Sequence, residues 1–221
     1  MKKNIDSHIY ILFFILKEDF KMILSSEFLS NEAKYKKYVD SHIRAVSTIW
    51  QNFEDIIALE ITLYRKNKSL TTPMIRRSLE QRIPVHDASK FSDAEFIPYC
   101  NKFFGSSSDL NKETIEKEFD KAWIHHYTHN DHHPEFWQYK VGDKVVTIPM
   151  KDDAFAEMII DWAAMSLMRN SSTLDWWKKE GRADKSNYLD ESDIKFLDSL
   201  LERYDNIFDH TVKHEYAIDF E

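Results

Sequence analysis

The sequence predicts an all-α domain, a helical bundle with one short β-hairpin. Three observations point there. Glycine and proline are scarce, at 3 and 5 of 221 residues, too few for a sheet-rich fold with many tight turns. Apolar residues recur at three- and four-residue intervals through much of the chain. A single stretch, YKVGDKVVTIP, reads instead as a hairpin, with Gly142 and Asp143 in its turn. The hydrophobic fraction of 43% is ample for a core, and the length suits one domain.

The elements follow in order. MKKNIDSHIYILFFIL opens with lysines and an apolar run from Ile9 to Leu16, loosely like a signal peptide. KEDFK follows at once without a small-residue cleavage site, and the run is too short to span a bilayer. Residues 1–30 are therefore expected to be a helical extension, docked on the body or binding a partner. Residues 31–221 are expected to form the main domain. Within it, a long helix fits Asn31 to Lys66, with Val39, Val46, Ile49, Phe53, Ile56 and Ile57 at helical spacing. Thr72 reads as an N-cap with Pro73 as the first helical residue. SDAE at 92–95 reads as a capping box opening a helix towards Phe104. GSSSD at 105–109 is the clearest loop, and a helix is expected from Lys112 to His129. Asp152 or Asp153 caps a helix reaching Arg169, and a last helix spans Glu191 to His210.

Composition narrows the function. A net charge of −8 gives no support for a general nucleic-acid surface, though it leaves room for a basic pocket for a small anion. Cys100 is the only cysteine, so no internal disulfide forms and the chain reads as cytoplasmic, with no membrane partner. No basic residue adjoins Cys100 in sequence, which argues against a catalytic thiolate.

Polar residues on apolar stripes are the functional signal. Ala154, Met158, Asp161, Met165 and Met168 share one helix face, and only Asp161 is polar. A carboxylate there is costly to bury without a cationic partner, either a metal ion or a buried Arg or Lys. His42 lies on the stripe of Val46, Ile49 and Phe53; taken alone, a core histidine bonded to a carbonyl explains it better than a metal ligand does. Ile115, Phe119, Ala122 and His126 share a stripe, so periodicity turns His126 inward and leaves His125 on the wetter side. His129, His132 and His133 follow at once, so five of the ten histidines lie within 125–133. A solvated histidine patch is the plain alternative, but Trp123, Tyr127, Phe136 and Trp137 surround it. VHDASKF adds an adjacent His86-Asp87 pair with Lys90 three residues on. Imidazoles and carboxylates without thiolates suit iron, manganese or catalytic zinc rather than a structural zinc. The set exceeds the needs of one metal, and Asp87 could bridge two.

The order His, His-Asp, His, His-His, Asp resembles the HD superfamily of metal-dependent phosphohydrolases. HDASK is similar to the His-Asp-x-x-Lys form of its cyclic-dinucleotide phosphodiesterases. AWIHHYTHNDHHPEFW and EMIIDWAAMS resemble an uncharacterised HD-like family of bacteria and phages. The resemblance implies an HD-like helical bundle with His42, His86, Asp87 and Asp161 as core metal ligands. His126 with His132 or His133 would complete a second site. It implies two divalent ions, iron or manganese, with zinc, magnesium or nickel as further candidates. It places Lys90 near a substrate phosphate. His129, in the histidine-rich stretch, is a candidate acid for the leaving group. The Gly-Tyr-Pro segment of the cyclic-di-GMP hydrolases is missing, and HHPEFW stands in its place. The expected activity is hydrolysis of a nucleotide or other small phosphorylated molecule. Two alternatives share the ligand pattern: a di-iron oxygenase of HD type, and a nucleotide-binding protein without turnover. The apolar first helix and the acidic last helix are candidate surfaces for a partner or a homodimer.

Overall fold

A computed structural model describes the backbone of residues 7–66, 68–105 and 111–215, and side chains within 31–66, 68–105, 111–205 and at 207. The chain is all-α with one small hairpin. Helix α1 runs Ser7–Tyr64, α2 Thr72–Arg82, α3 Phe96–Phe104 and α4 Lys112–His129. Strands β1 (Gln138–Val141) and β2 (Lys144–Thr147) pair antiparallel, with Gln138 opposite Thr147. Gly142 in the turn has φ +60°, the left-handed conformation that a tight hairpin asks of glycine. Helices α5 (Asp152–Met168), α6 (Thr173–Trp176), α7 (Arg182–Lys185) and α8 (Glu191–Glu215) complete the chain. A π-helical turn, Trp177–Gly181, joins α6 to α7.

Helix α5 is the axis of the molecule. It packs along α1, α2 and α8, and from Ala154 to Asp161 every residue is buried. The main core joins Ile49, Phe53, Ile57 and Ile61 of α1 to Ile75 and Leu79 of α2, Phe155 and Ile159 of α5, and Leu197 and Leu201 of α8. A second cluster joins Tyr35 and Val39 of α1 to Tyr99 and Cys100 of α3 and Ala122 of α4. His42 stands on α1 between Val39 of the second cluster and Val46 of the first, and so marks the seam where the two cores meet.

Several local expectations shift. Thr71, not Thr72, is the N-cap of α2, which places Thr72 in the helix ahead of Pro73. Neither Asp152 nor Asp153 is the N-cap of α5; Lys151 is, and Asp152 turns instead to Arg65. SDAE is not a capping box: Ser92 closes a 3₁₀ turn, Ala88–Phe91, and the Glu95 carboxylate goes elsewhere. The loop expected over 105–109, beyond Gly105, and the roles expected of residues 1–30 lie outside the described side chains. Among the described residues no helix is long and apolar enough to cross a membrane.

Candidate metal centre

The His-Asp pair sits where a helix cannot continue. Pro84 lies in a 3₁₀ turn, Ile83–Val85, that ends α2. His86 is then extended (φ −50°, ψ 131°) and Asp87 is left-handed (φ 56°, ψ 18°). In a helix adjacent side chains diverge by about 100°. This extended and left-handed pair instead lets two neighbours converge on one centre. Aspartate tolerates the left-handed region better than most residues, so the motif and the geometry agree.

Two sets of donor atoms meet at Asp87. On one side, His42 Nε2 lies 3.4 Å from Asp87 Oδ2, 3.0 Å from Asp161 Oδ1 and 3.3 Å from His86 Nε2. His86 Nε2 lies 3.6 Å from Asp87 Oδ2 and 3.7 Å from Asp161 Oδ1. On the other side, Asp87 Oδ1 lies 3.3 Å from His126 Nε2 and 3.6 Å from His132 Nε2. His133 Nε2 is 2.9 Å from His126 Nε2. One carboxylate thus faces both sets: Asp87 with His126, His132 and His133 lies within a span that one ion could ligate, as do His42, His86 and Asp161, with Asp87 Oδ2 3.4–3.6 Å from the two imidazoles of the latter group. Metal–donor bonds of ~2.0–2.2 Å put neighbouring ligands roughly 3–3.5 Å apart, close to the spacing found. Asp87 Oδ1 and His132 Nε2 are buried without a hydrogen-bond partner. Orphaned buried polar atoms call for a missing partner, and here a cation fits both.

The other ends of the imidazoles are held by acidic residues that the sequence did not single out. His86 donates from Nδ1 to Glu157 Oε1 at 2.8 Å, and His132 Nδ1 lies 3.4 Å from the same oxygen. His126 donates from Nδ1 to Glu95 Oε2 at 2.8 Å. Such bonds fix the tautomer, keep the Nε2 lone pairs on the centre and raise their basicity. Arg82 Nε donates to Glu157 Oε2 at 2.5 Å, and its other nitrogens reach Asp131, next to His132. Glu157 stands four residues before Asp161, so α5 presents both carboxylates on one face. That spacing was the available signal. Glu95 had none, because SDAE reads as a cap.

Electrostatics match this arrangement. Burial pushes the Asp87 carboxyl up, but Lys90 and His86, with the nearby imidazoles of His126 and His42, hold it well below the usual carboxylate range. Burial likewise opposes ionisation of Asp161, and the adjoining imidazoles of His42 and His86 outweigh it. Both groups are therefore anionic at neutral pH, as carboxylate ligands of a cation would be.

Other residues around the centre fall as follows. Lys90 Nζ pairs with Asp87 Oδ2 at 2.5 Å, at the edge of the first set. Ser89 Oγ lies 3.3 Å from His126 Nδ1 and accepts from Asn130 Nδ2 at 2.7 Å. His126 is the inward histidine, and His125 turns its Nδ1 to Glu95, at 2.7 Å. His132 and His133 both join the second set. His129 does not: it is exposed, donates from Nδ1 to the His125 carbonyl at 2.7 Å, and stacks on the His125 ring. Cys100 is buried and free.

A model of a family of unknown function, DUF5662, matches residues 31–203. The chain belongs to the DUF5662 family. The DUF5662 match takes in every residue of the centre, from His42 to Asp161. No curated protein and no solved structure matches the chain.

Proposed function

We propose that this DUF5662 protein is a metal-dependent phosphohydrolase of HD type, holding two divalent ions and acting on a small phosphorylated molecule. The observation that carries the proposal is Asp87, whose two oxygens each face a separate set of imidazoles. His42, His86, Asp161 and Asp87 Oδ2 would hold one ion; Asp87 Oδ1, His126, His132 and His133 would hold the other. Iron or manganese suits such mixed nitrogen and oxygen ligands. Bound ions would supply a water of lowered pKa and polarise the phosphoryl oxygens. Glu157 and Glu95 hold the imidazoles in the ligating tautomer. Lys90, beside Asp87, adds positive charge where a phosphoryl group would dock.

The first test is elemental analysis of the protein purified without a histidine tag, beside His86→Ala/Asp87→Ala. About two equivalents of iron or manganese, lost in the double variant, supports the dinuclear centre. Absence of bound metal after manganese, iron or zinc is added back overturns it. Loaded protein is then offered phosphoesters with and without oxygen. Phosphate release independent of oxygen supports the hydrolase, whereas oxygen-dependent loss of substrate assigns the centre to a di-iron oxygenase instead.

A further inference from the structure

A cleft of about 240 Å³ opens beside the second ligand set, with His133 in its lining. Three indoles, Trp123, Trp162 and Trp176, line it, each only partly buried. Trp123 meets the His133 ring edge-on at 5.1 Å, and Trp162 meets Trp176 edge-on at 5.2 Å. Trp176 is held in place by a special arrangement. A Cβ on Gly181 would lie 2.7–2.9 Å from the Trp176 ring, so glycine lets the π-helical turn press flush against the indole. π-Helical turns are rare and gather at functional sites.

The charges in the cleft are uneven. Lys185 is tied to Glu135 at 2.9 Å and to Asp184 at 3.0 Å, so the acidic residue of the lining is matched internally. Arg169, just past the end of α5, lines the same cleft, and among the described residues its guanidinium has no hydrogen bond or ion pair. A cleft with aromatic walls, an uncommitted guanidinium and a metal-facing histidine fits a ligand with a planar ring and an anionic group. The volume adds a limit. Ligand sites usually span ~300–1,000 Å³, so this one suits a single ring system rather than a dinucleotide.

We propose that this cleft is the substrate subsite, taking a planar aromatic group against Trp123, Trp162 and Trp176 and an anionic group between Arg169 and the centre at His133. Its reacting end rests on the phosphohydrolase reading above. Its recognition of ring and anion rests on the cleft's own side chains.

The test is calorimetric titration of the full-length protein, with and without added manganese. The probes are AMP and its two halves, adenosine and ribose 5-phosphate. AMP is expected to bind at least tenfold tighter than either half. Arg169→Gln and Trp176→Leu are each expected to weaken AMP binding by about tenfold, as loss of a charged hydrogen bond or a stacked ring does. Arg169 is exposed, so its substitution spares the fold, and Trp123→Leu replaces Trp176→Leu if circular dichroism shows the latter unfolded. AMP binding no tighter than ribose 5-phosphate, or unchanged in the folded variants, overturns the subsite. The two readings separate cleanly. AMP bound through Arg169 but never cleaved keeps the subsite and removes the hydrolase. Manganese-dependent cleavage of ribose 5-phosphate with AMP unbound keeps the hydrolase and removes the subsite.

Discussion

Asp87 combines three demands in one side chain: a left-handed backbone, full burial and two oxygens facing two histidine sets. Few residues meet all three, which is why a dipeptide of ordinary frequency becomes the pivot of this molecule. Glu157 is nearly as constrained. One oxygen serves His86 and faces His132, and the other accepts from Arg82. Glu157→Gln keeps the volume but offers one acceptor oxygen where two are in use. Metal affinity is expected to fall about 10–100-fold, as it does when the group behind a ligating histidine is lost. Competition against a graded chelator reads this directly, and unchanged affinity would remove Glu157 from the centre. Glu95→Gln is expected to weaken only the ion held by His126, leaving the other equivalent in place. Neither glutamate was singled out in the sequence. Glu157 was signalled only by its four-residue spacing from Asp161; α5 has almost no wet face, so its carboxylate must find partners indoors. Glu95 was hidden by a capping pattern that the chain does not use.

At the scale of elements, the centre depends on how the ends of helices are fastened. Arg65 follows α1 directly and is fully buried. Its guanidinium donates to Asp193 at 2.9 Å, Asp152 at 2.7 Å and the Met150 carbonyl at 2.8 Å, and it lies 4.2 Å over the Phe155 ring. Asp152 in turn accepts from the backbone of Leu70, ahead of α2. One side chain therefore joins α1 to the starts of α5 and α8. Arg65→Met leaves Asp152 and Asp193 buried without their cation, and the expected loss is about 3–5 kcal/mol. Urea unfolding measures it, and a loss within experimental error would show that packing alone holds these ends. Periodicity found α4 and the core of α5 because each keeps one regular repeat. It found nothing between 171 and 190. There a π-helical turn adds a residue to the repeat, which breaks the spacing that reveals a helix.

At the scale of the whole molecule, the centre draws on α1, the turns after α2, the end of α4, the segment before the hairpin, and α5. Sequence supplied the ligand types, because a polar residue on an apolar stripe is visible in one dimension. Periodicity alone could not divide them into two sets; the HD resemblance did so, but it could not say which imidazole faces which oxygen of Asp87. On the proposed reading, the same convergence makes metal and fold mutually dependent. Four carboxylates, Asp87, Glu95, Glu157 and Asp161, are buried beside the histidines, and in the unfolded chain none of these groups shares a site. Ions that bind only the native state at 100 times their dissociation constant stabilise it by about 2.7 kcal/mol. For a chain of this size each kcal/mol moves the midpoint by roughly 2–4 °C, so one such site is worth roughly 5–10 °C. Stripping the protein with a chelator is expected to lower Tm by at least that much, and manganese or iron is expected to restore it. His86→Ala/Asp87→Ala should melt at one temperature whether or not metal is present. A wild-type Tm indifferent to both chelator and metal would mean that the imidazoles and carboxylates satisfy one another, and the dinuclear centre would fall with it.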